Sequence, residues 1–418
     1  MERQLSAEDR AILAMESPVV AGHTCKVIQL AGAAADADAL RAALVERLAG
    51  APELTARLGG GPGAPAWVLD DRFHIDSHVV DGTGPAELDE DGLRHAVARL
   101  FEQRLDRRRP LWRIDLLGPL AGGGSALVWR LHHAVADGTA SARLAGALLW
   151  DDPGRRPAAP AAPAAGPGGE NTGRWGDLGG FVWREFAHDL HRSPFDGPLS
   201  AHRAVAFASA ALSPLRRAAR ALADATVNDV VLSITAGALR RWLVERGQPV
   251  HQMRVKVPVS LHQKGDHVAN RDSFFGVRLP VDQPDPVERL RAVRTETMMR
   301  KTHHDAIIVD ELTRELVRLG PGLERAGSRI QTGPRAFALN VSNVRGPGQP
   351  VSVLGVPVRS MHSLAEIRPR HGLRIAVFSY ADQLNIGLCA DPAIVPDLVT
   401  LAASFEADAA ELIEADRS

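Results

Sequence analysis

Between Asp152 and Gly173 the chain reads DPGRRPAAPAAPAAGPGGENTG, and no other stretch constrains the fold as strongly. Proline, alanine and glycine dominate it, no apolar periodicity runs through it, and such a segment has nothing to contribute to a packed core. It reads as an exposed, semi-rigid linker. The 418 residues are thereby divided into an N-terminal part, 1–151, the linker, 152–173, and a C-terminal part, 174–418. Each part is long enough to bury a core of its own.

Both parts mix helix and strand patterns. In the first, Val27–Leu30, Trp67–Leu69, Phe73–Val80, Asp115–Leu117 and Ser125–Leu131 read as strands. Ala39–Leu48, with Asp38 as candidate N-cap, Gly92–Leu105 and Thr139–Trp150 read as helices, their apolar residues spaced for one face. In the second part Val227–Arg246, Pro286–Lys301 and Pro396–Glu414 read as helices, and Arg254–Val259, Ala336–Val341, Val351–Val358, Leu373–Tyr380 and Gln383–Ala390 as strands. The expectation is an α/β protein of two sandwiches with a site between them.

Composition narrows the function classes. A net charge of −1 gives no reason to expect a nucleic-acid partner. Two cysteines without CxxC spacing, Cys25 and Cys389, point to neither a zinc site nor a disulfide framework and fit a reducing cytoplasm. The charged N-terminus lacks the apolar core of a signal peptide, and no uninterrupted apolar run of about 18 residues is present to span a bilayer.

One heptapeptide carries chemistry: His132-His133-Ala134-Val135-Ala136-Asp137-Gly138. It lies between a strand pattern and a helix pattern, where α/β proteins place functional loops. Adjacent strand side chains point to opposite faces, so the two histidines are not expected to share a metal ion. One is expected to pack and the other to face an opening. From the heptapeptide alone, two hydrogen-bonded structural histidines explain it as well as a site does. Asp137-Gly138 is a turn dipeptide, and Gly138 is free to adopt a positive φ. His303-His304 forms a second pair without a following Asp-Gly, and His74 and His78 share a face of a strand-like segment with no third ligand nearby. The basic cluster Arg104, Arg107, Arg108 and Arg109 is either a solvated face or a contact for phosphates, and the amphipathic Leu215–Leu222 is a surface helix or an anionic-membrane contact.

Further segments stand in order along the chain: Pro110-Leu111-Trp112-Arg113, Thr226-Val227-Asn228-Asp229-Val230-Val231-Leu232, Val257-Pro258-Val259-Ser260-Leu261 and Ser342-Asn343-Val344-Arg345-Gly346-Pro347. With the heptapeptide as HHxxxDG, they resemble the PLWR, TVNDVVL, VPVSLR and SNVPGP segments of the bacterial wax ester synthase/acyl-CoA:diacylglycerol acyltransferase family. The resemblance runs from about Leu5 to about Leu398. The sequence departs from the family pattern at Arg345, at Val268-Ala269-Asn270, at Ala381-Asp382 and over Glu53–Arg57.

The resemblance implies two chloramphenicol acetyltransferase-like α/β sandwich domains with an active-site tunnel between them. It implies an O-acyltransferase that moves a long-chain acyl group from acyl-CoA to diacylglycerol or a fatty alcohol. His133 would be the general base, with acyl-CoA as co-substrate and no cofactor or metal. His132 is expected to pack. Asp137 is expected to form a structural salt bridge, with Arg57 or Arg113 as partner, and Gly138 to serve backbone conformation or close approach of the substrate. Asn228 and Asp229 either cap a helix or border the site. Ser342 and Asn343 lie either in an ordinary loop or along the tunnel, and Trp112 and Arg113 belong to the tunnel wall or its support. The expected location is cytoplasmic, with contact at a membrane or lipid-inclusion surface left open. The alternatives are a condensation-type acyltransferase fed by a carrier protein and a non-catalytic lipid-binding homologue.

Overall fold

The computed structural model describes residues 2–32, 36–61, 64–152, 193–260, 272–302 and 336–417. The linker from residue 153 onward and His303-His304 lie outside them. The first half contains β1 (Glu2–Gln4), α1 (Ala7–Ala14), β2 (His23–Leu30), α2 (Ala37–Arg47), β3 (Ala56–Gly61), β4 (Ala64–Leu69), β5 (Val79–Asp81), α3 (Glu90–Glu102), β6 (Trp112–Leu117), β7 (Ser125–His132) and α4 (Gly138–Leu148). The second contains β8 (Ala204–Ala211), α5 (Leu212–Ala223), α6 (Val227–Glu245), β9 (Met253–Ser260), β10 (Asp272–Leu279), α7 (Pro286–Thr302), β11 (Leu339–Arg345), β12 (Ser352–Val353), β13 (Val356–Ala365), β14 (Leu373–Tyr380), β15 (Gln383–Ala390) and α8 (Leu398–Ala415).

Two six-stranded sheets form the frame, ordered β12-β13-β2-β7-β6-β5 and β10-β9-β11-β14-β15-β8, beside a small β1-β4-β3 sheet. The first six-stranded sheet is buried on both faces. Ile28, Leu127, Trp129 and Leu131 join α2 and α4 in one core, whereas Val27, Ala126 and Val128 pack with Leu93, Val97 and Phe101 of α3 in another. Every residue of β7 is buried, which explains the apolar run Ala126–Trp129 at its centre, and the buried Arg130 that follows is paired with Asp115. The second sheet presents Val255, Val257, Leu339, Val341, Ile375 and Val377 to helices α5–α8. Its opposite face meets the first half, where Phe378 joins the core around α4.

The two halves are not separable in sequence. After β11 the chain crosses over, and β12 and β13 complete the first sheet, β13 running antiparallel to β2 from Leu30↔Val358 to Thr24↔Ala365. A division of the chain at the linker therefore does not follow sheet membership. The expected single strand Val351–Val358 is in fact a hairpin. Leu354 and Gly355 both adopt positive φ, 50° and 78°, as a two-residue turn requires. Asp151 accepts both of their N–H groups at 2.8 Å, a stabilisation from a residue remote in sequence.

Other expectations shift locally. Asp36, not Asp38, caps α2, accepting the Asp38 N–H. The Phe73–Val80 segment is a short 3₁₀ turn at Ile75–Ser77 followed by β5, because His78 turns inward to stack on Trp112 and bond its carbonyl oxygen through Nδ1 at 2.8 Å. In α5, Leu215, Ala218 and Ala219 are buried while Arg217 pairs with Asp416. No single helix among the described residues is long and apolar enough to cross a membrane.

Candidate active site

The histidine pair sits where β7 ends. His132 is its last residue and is fully buried, and His133 follows it, half-buried. His132 Nδ1 accepts the Ala134 N–H at 3.1 Å, so the ring proton resides on Nε2, which faces Glu16 Oε1 at 2.7 Å. Glu16 in turn meets Arg107, whose Nε donates to its Oε2 at 2.9 Å. Burial pushes the Glu16 carboxyl up, but its bond to His132 and the charge and bond of Arg107 prevail, and its pKa lies below the ordinary glutamate value. His132 is thus enclosed by main chain and a carboxylate, as packing requires.

His133 is held differently. Its N–H donates to the Gly22 carbonyl at 3.0 Å. The ring lies beside its own main-chain carbonyl, and its Nδ1 is buried. Burial drives the imidazole far below the ordinary histidine value, to about 3, and the charges of Arg374 and Arg368 push the same way. The ring is neutral at physiological pH. Gly22 has φ +75, and a Cβ on it would lie 2.7 Å from His132 Nε2. A glycine is therefore needed both for the backbone and for the space.

Asp137 is the N-cap of α4, its Oδ1 accepting the Ala140 N–H at 2.7 Å. The arginines expected as its partners are engaged elsewhere: Arg57 pairs with Asp70 and Arg113 with Asp115. Gly138 does not take a positive φ. It opens α4, and a Cβ there would stand 2.9 Å from Val344 Cγ2 on β11. The glycine serves close approach of the two halves, not a turn.

The remaining expected positions divide. Asp229 is buried at the third position of α6 and forms a capping box with Thr226. Its Oδ2 accepts the Thr226 N–H at 2.8 Å, and its Oδ1 accepts the Thr297 hydroxyl at 2.6 Å. Asn228 beside it is half-buried, and its side chain makes no hydrogen bond among the described residues. Ser342 and Asn343 are not in a loop but within β11, which continues to Arg345. Alternation places Ser342 with Val344 toward the first half, and Asn343 with Leu339 and Val341 toward the helices. Trp112 is buried, its Nε1 donating to the Leu54 carbonyl at 2.7 Å. Arg113 shares Asp115 with the buried Arg130. Both are thereby fixed on β6.

Sequence reading missed the groups that hold the histidines in place. Besides Glu16 and Gly22 there is Glu366, which accepts the Ala21 N–H at 3.0 Å and the Nε of buried Arg203 at 2.8 Å. Of the basic cluster, Arg107 belongs to this network, whereas Arg108 and Arg109 pair with Asp106. No local signal marks Glu16 or Glu366, because each finds its partners across the fold. Among the described residues no three His, Cys, Asp or Glu side chains are grouped to hold a metal ion. What the arrangement offers is a neutral imidazole at a strand end, its main chain anchored to the Gly22 carbonyl and its ring within the field of Arg374 and Arg368.

Two family models match the chain: the wax ester synthase/diacylglycerol acyltransferase catalytic domain over residues 5–182 and the WS/DGAT C-terminal domain over residues 268–413. A putative diacylglycerol O-acyltransferase of Mycobacterium tuberculosis is 30% identical, covering 99% of this chain and 90% of its own length. The solved wax ester synthase/diacylglycerol acyltransferase of Marinobacter aquaeolei VT8 superposes with a TM-score of 0.75 at 22% identity over the whole of both chains. The starter condensation domain of rhizomide synthetase shares the fold, with a TM-score of 0.63 at 16% identity, covering 100% of this chain and 95% of that one. The order of the HHxxxDG, ND and SNVRGP segments and the two-sheet frame around them agree with these matches, and the chain belongs to the wax ester synthase/diacylglycerol acyltransferase family.

Proposed function

We propose that the protein is an O-acyltransferase that moves a long-chain acyl group from acyl-CoA to the hydroxyl of diacylglycerol or a fatty alcohol, with His133 as general base. The observation that carries this reading is the His133 ring itself, placed just past the end of β7 and kept neutral by burial and by the charges of Arg374 and Arg368. An alcohol is too weak an acid to attack a thioester unaided. Nε2 takes the hydroxyl proton as the oxygen bonds to the acyl carbon. The tetrahedral oxyanion then collapses, the C–S bond breaks, and the imidazolium returns the proton to the departing thiolate. With a pKa near 3 in the free protein, the imidazolium depends on the negative charge of the developing oxyanion for stabilisation.

The other residues have supporting roles in this reading. Glu16 and the Ala134 N–H lock His132, and the Asp137 cap and Gly138 seat α4 against β11. Ser342, on the face of β11 turned toward the first half, borders the acyl path. Neither metal nor cofactor enters a step. The acceptor partitions into lipid, so the protein meets it at a membrane or inclusion surface from the cytoplasm. The test is purified His133→Ala with palmitoyl-CoA against dipalmitoylglycerol and hexadecanol. Loss of a general base lowers turnover by roughly 10²–10⁴-fold, and turnover near that of the unaltered protein rules His133 out.

A further inference from the structure

One charged group has no part in that chemistry. On the face of the second sheet that meets the first half, Lys256, Asn340 and Arg374 stand abreast on three neighbouring strands. Lys256 is in register with Asn340 across β9 and β11, and Asn340 with Arg374 across β11 and β14. Residues in register share a face. Hydrogen bonds tie this row to the catalytic loop: Arg374 Nη1 donates to the Glu366 carbonyl at 3.2 Å, Glu366 accepts the Ala21 N–H, and the carbonyl of the next residue, Gly22, accepts the His133 N–H. Arg368, two residues past Glu366, adds a third cation, and the charges of both arginines bear on Lys256.

Among the described residues no carboxylate forms an ion pair with Lys256 or Arg368. The Lys256 ammonium lies over the Phe274 ring at 3.2 Å and the Phe337 ring at 5.5 Å, and the charge of Glu8 acts on Arg368. The Asn340 Oδ1 is buried without a donor. Like charges set side by side out of water repel one another and forfeit hydration, so a protein normally gives them a counter-charge. Among the described residues Lys256 has no such counter-charge, and Arg368 has only the charge of Glu8. Parallel cationic donors around an amide form a cradle for an oxyanion, which would make charge-assisted hydrogen bonds to them.

We propose that Lys256, Asn340 and Arg374, edged by Arg368, form a subsite for a phosphate or carboxylate group of a substrate. The proposal rests on the acyl-transfer reading and adds a requirement to it: one substrate brings an anionic group into the interior beside His133. That group is either a phosphate of the CoA donor or an anionic group borne by the acceptor.

The experiment uses the full chain and reads binding and melting without turnover, so failure of the subsite is distinct from failure of acyl transfer. Lys256→Met removes the unpaired charge at similar length, and Lys256→Arg keeps it. Expected are a higher melting temperature for unliganded Lys256→Met, loss of the stabilisation given by pyrophosphate, and anion binding weakened roughly ten- to hundredfold, with Lys256→Arg close to the unaltered protein. If CoA binding weakens and pantetheine binding does not, the donor supplies the anion. If CoA is unaffected and lysophosphatidate weakens while monoacylglycerol does not, the acceptor supplies it. Binding of CoA, pyrophosphate and lysophosphatidate within twofold of the unaltered protein overturns the subsite. So does a lower melting temperature in Lys256→Met with anion binding retained.

Discussion

Gly22→Ala tests how the histidine pair is held. At φ +75 an alanine adopts a left-handed conformation, which costs about 1–2 kcal/mol. Its Cβ would also stand 2.7 Å from His132 Nε2 and 3.0 Å from Glu16 Cγ, so the His132–Glu16 contact must open by about 0.7 Å to reach ordinary van der Waals separation. Overpacking of this kind adds about 1–3 kcal/mol, for a total loss of about 2–5 kcal/mol. The same residue's carbonyl accepts the His133 N–H, so the shift passes directly to the reacting ring. A displacement near 1 Å costs a positioned group about 10²-fold in rate. Guanidinium denaturation and kcat/KM with palmitoyl-CoA are the two measurements. A variant with the unaltered protein's midpoint and a kcat/KM within threefold refutes the claim that the Gly22 turn sets the geometry of His132 and His133.

Two further results are expected. Burial is the leading cause that holds His23, His78, His133 and His362 below the ordinary histidine value, the last three at about 4, 3 and 4. Unfolded, they titrate near about 6.5. Below that pH the unfolded chain binds protons that the fold refuses, so this stability is complete above about pH 6.5 and drains away as the pH falls toward 4. Asp408, raised to about 6 by burial, and Glu366, also raised, act in the opposite sense and are outnumbered. The urea midpoint should therefore fall between pH 6.5 and 4.5, and a level or rising midpoint contradicts the assignment. Glu366→Ala leaves Arg203 buried without its carboxylate and should cost about 3–5 kcal/mol. Replacing Arg203 by Met in the same chain should recover part of that loss in a double-mutant cycle, and additive losses would mean that the pair is not coupled.

The parts legible in the sequence are those whose cause is local. The apolar run of β7, the Asp229 cap and the spacing of α6 each express a preference within a few residues. His133 is legible for the same reason, since a strand end, a turn dipeptide and a helix start frame it. What sequence reading placed wrongly depends on partners far away. Gly138 looks like a turn glycine until Val344 of β11 is seen against it, and Ser342-Asn343 looks like a loop because its ladder partners are on β14. The hairpin at Leu354-Gly355 takes its anchor from Asp151, and Arg57 and Arg113 were drawn to Asp137 by motif logic although Asp70 and Asp115 are their neighbours in the fold. An acid such as Glu16, isolated in its own segment, offers no sequence signal at all.

The crossover explains why the site belongs to neither half. β13 completes the first sheet and, through Glu366 and Arg368, leads directly into β14 of the second. Glu366 stands at that passage, joined to Ala21 of the histidine loop on one side and to Arg203, just before β8, on the other. Arg203 also donates to the Val19 carbonyl, and its own N–H donates to Glu102 of α3 at 2.8 Å. Parting the two sheets would therefore break buried charge-assisted bonds at the residues that orient His133, where such bonds are strongest. The halves are expected to breathe little at this seam.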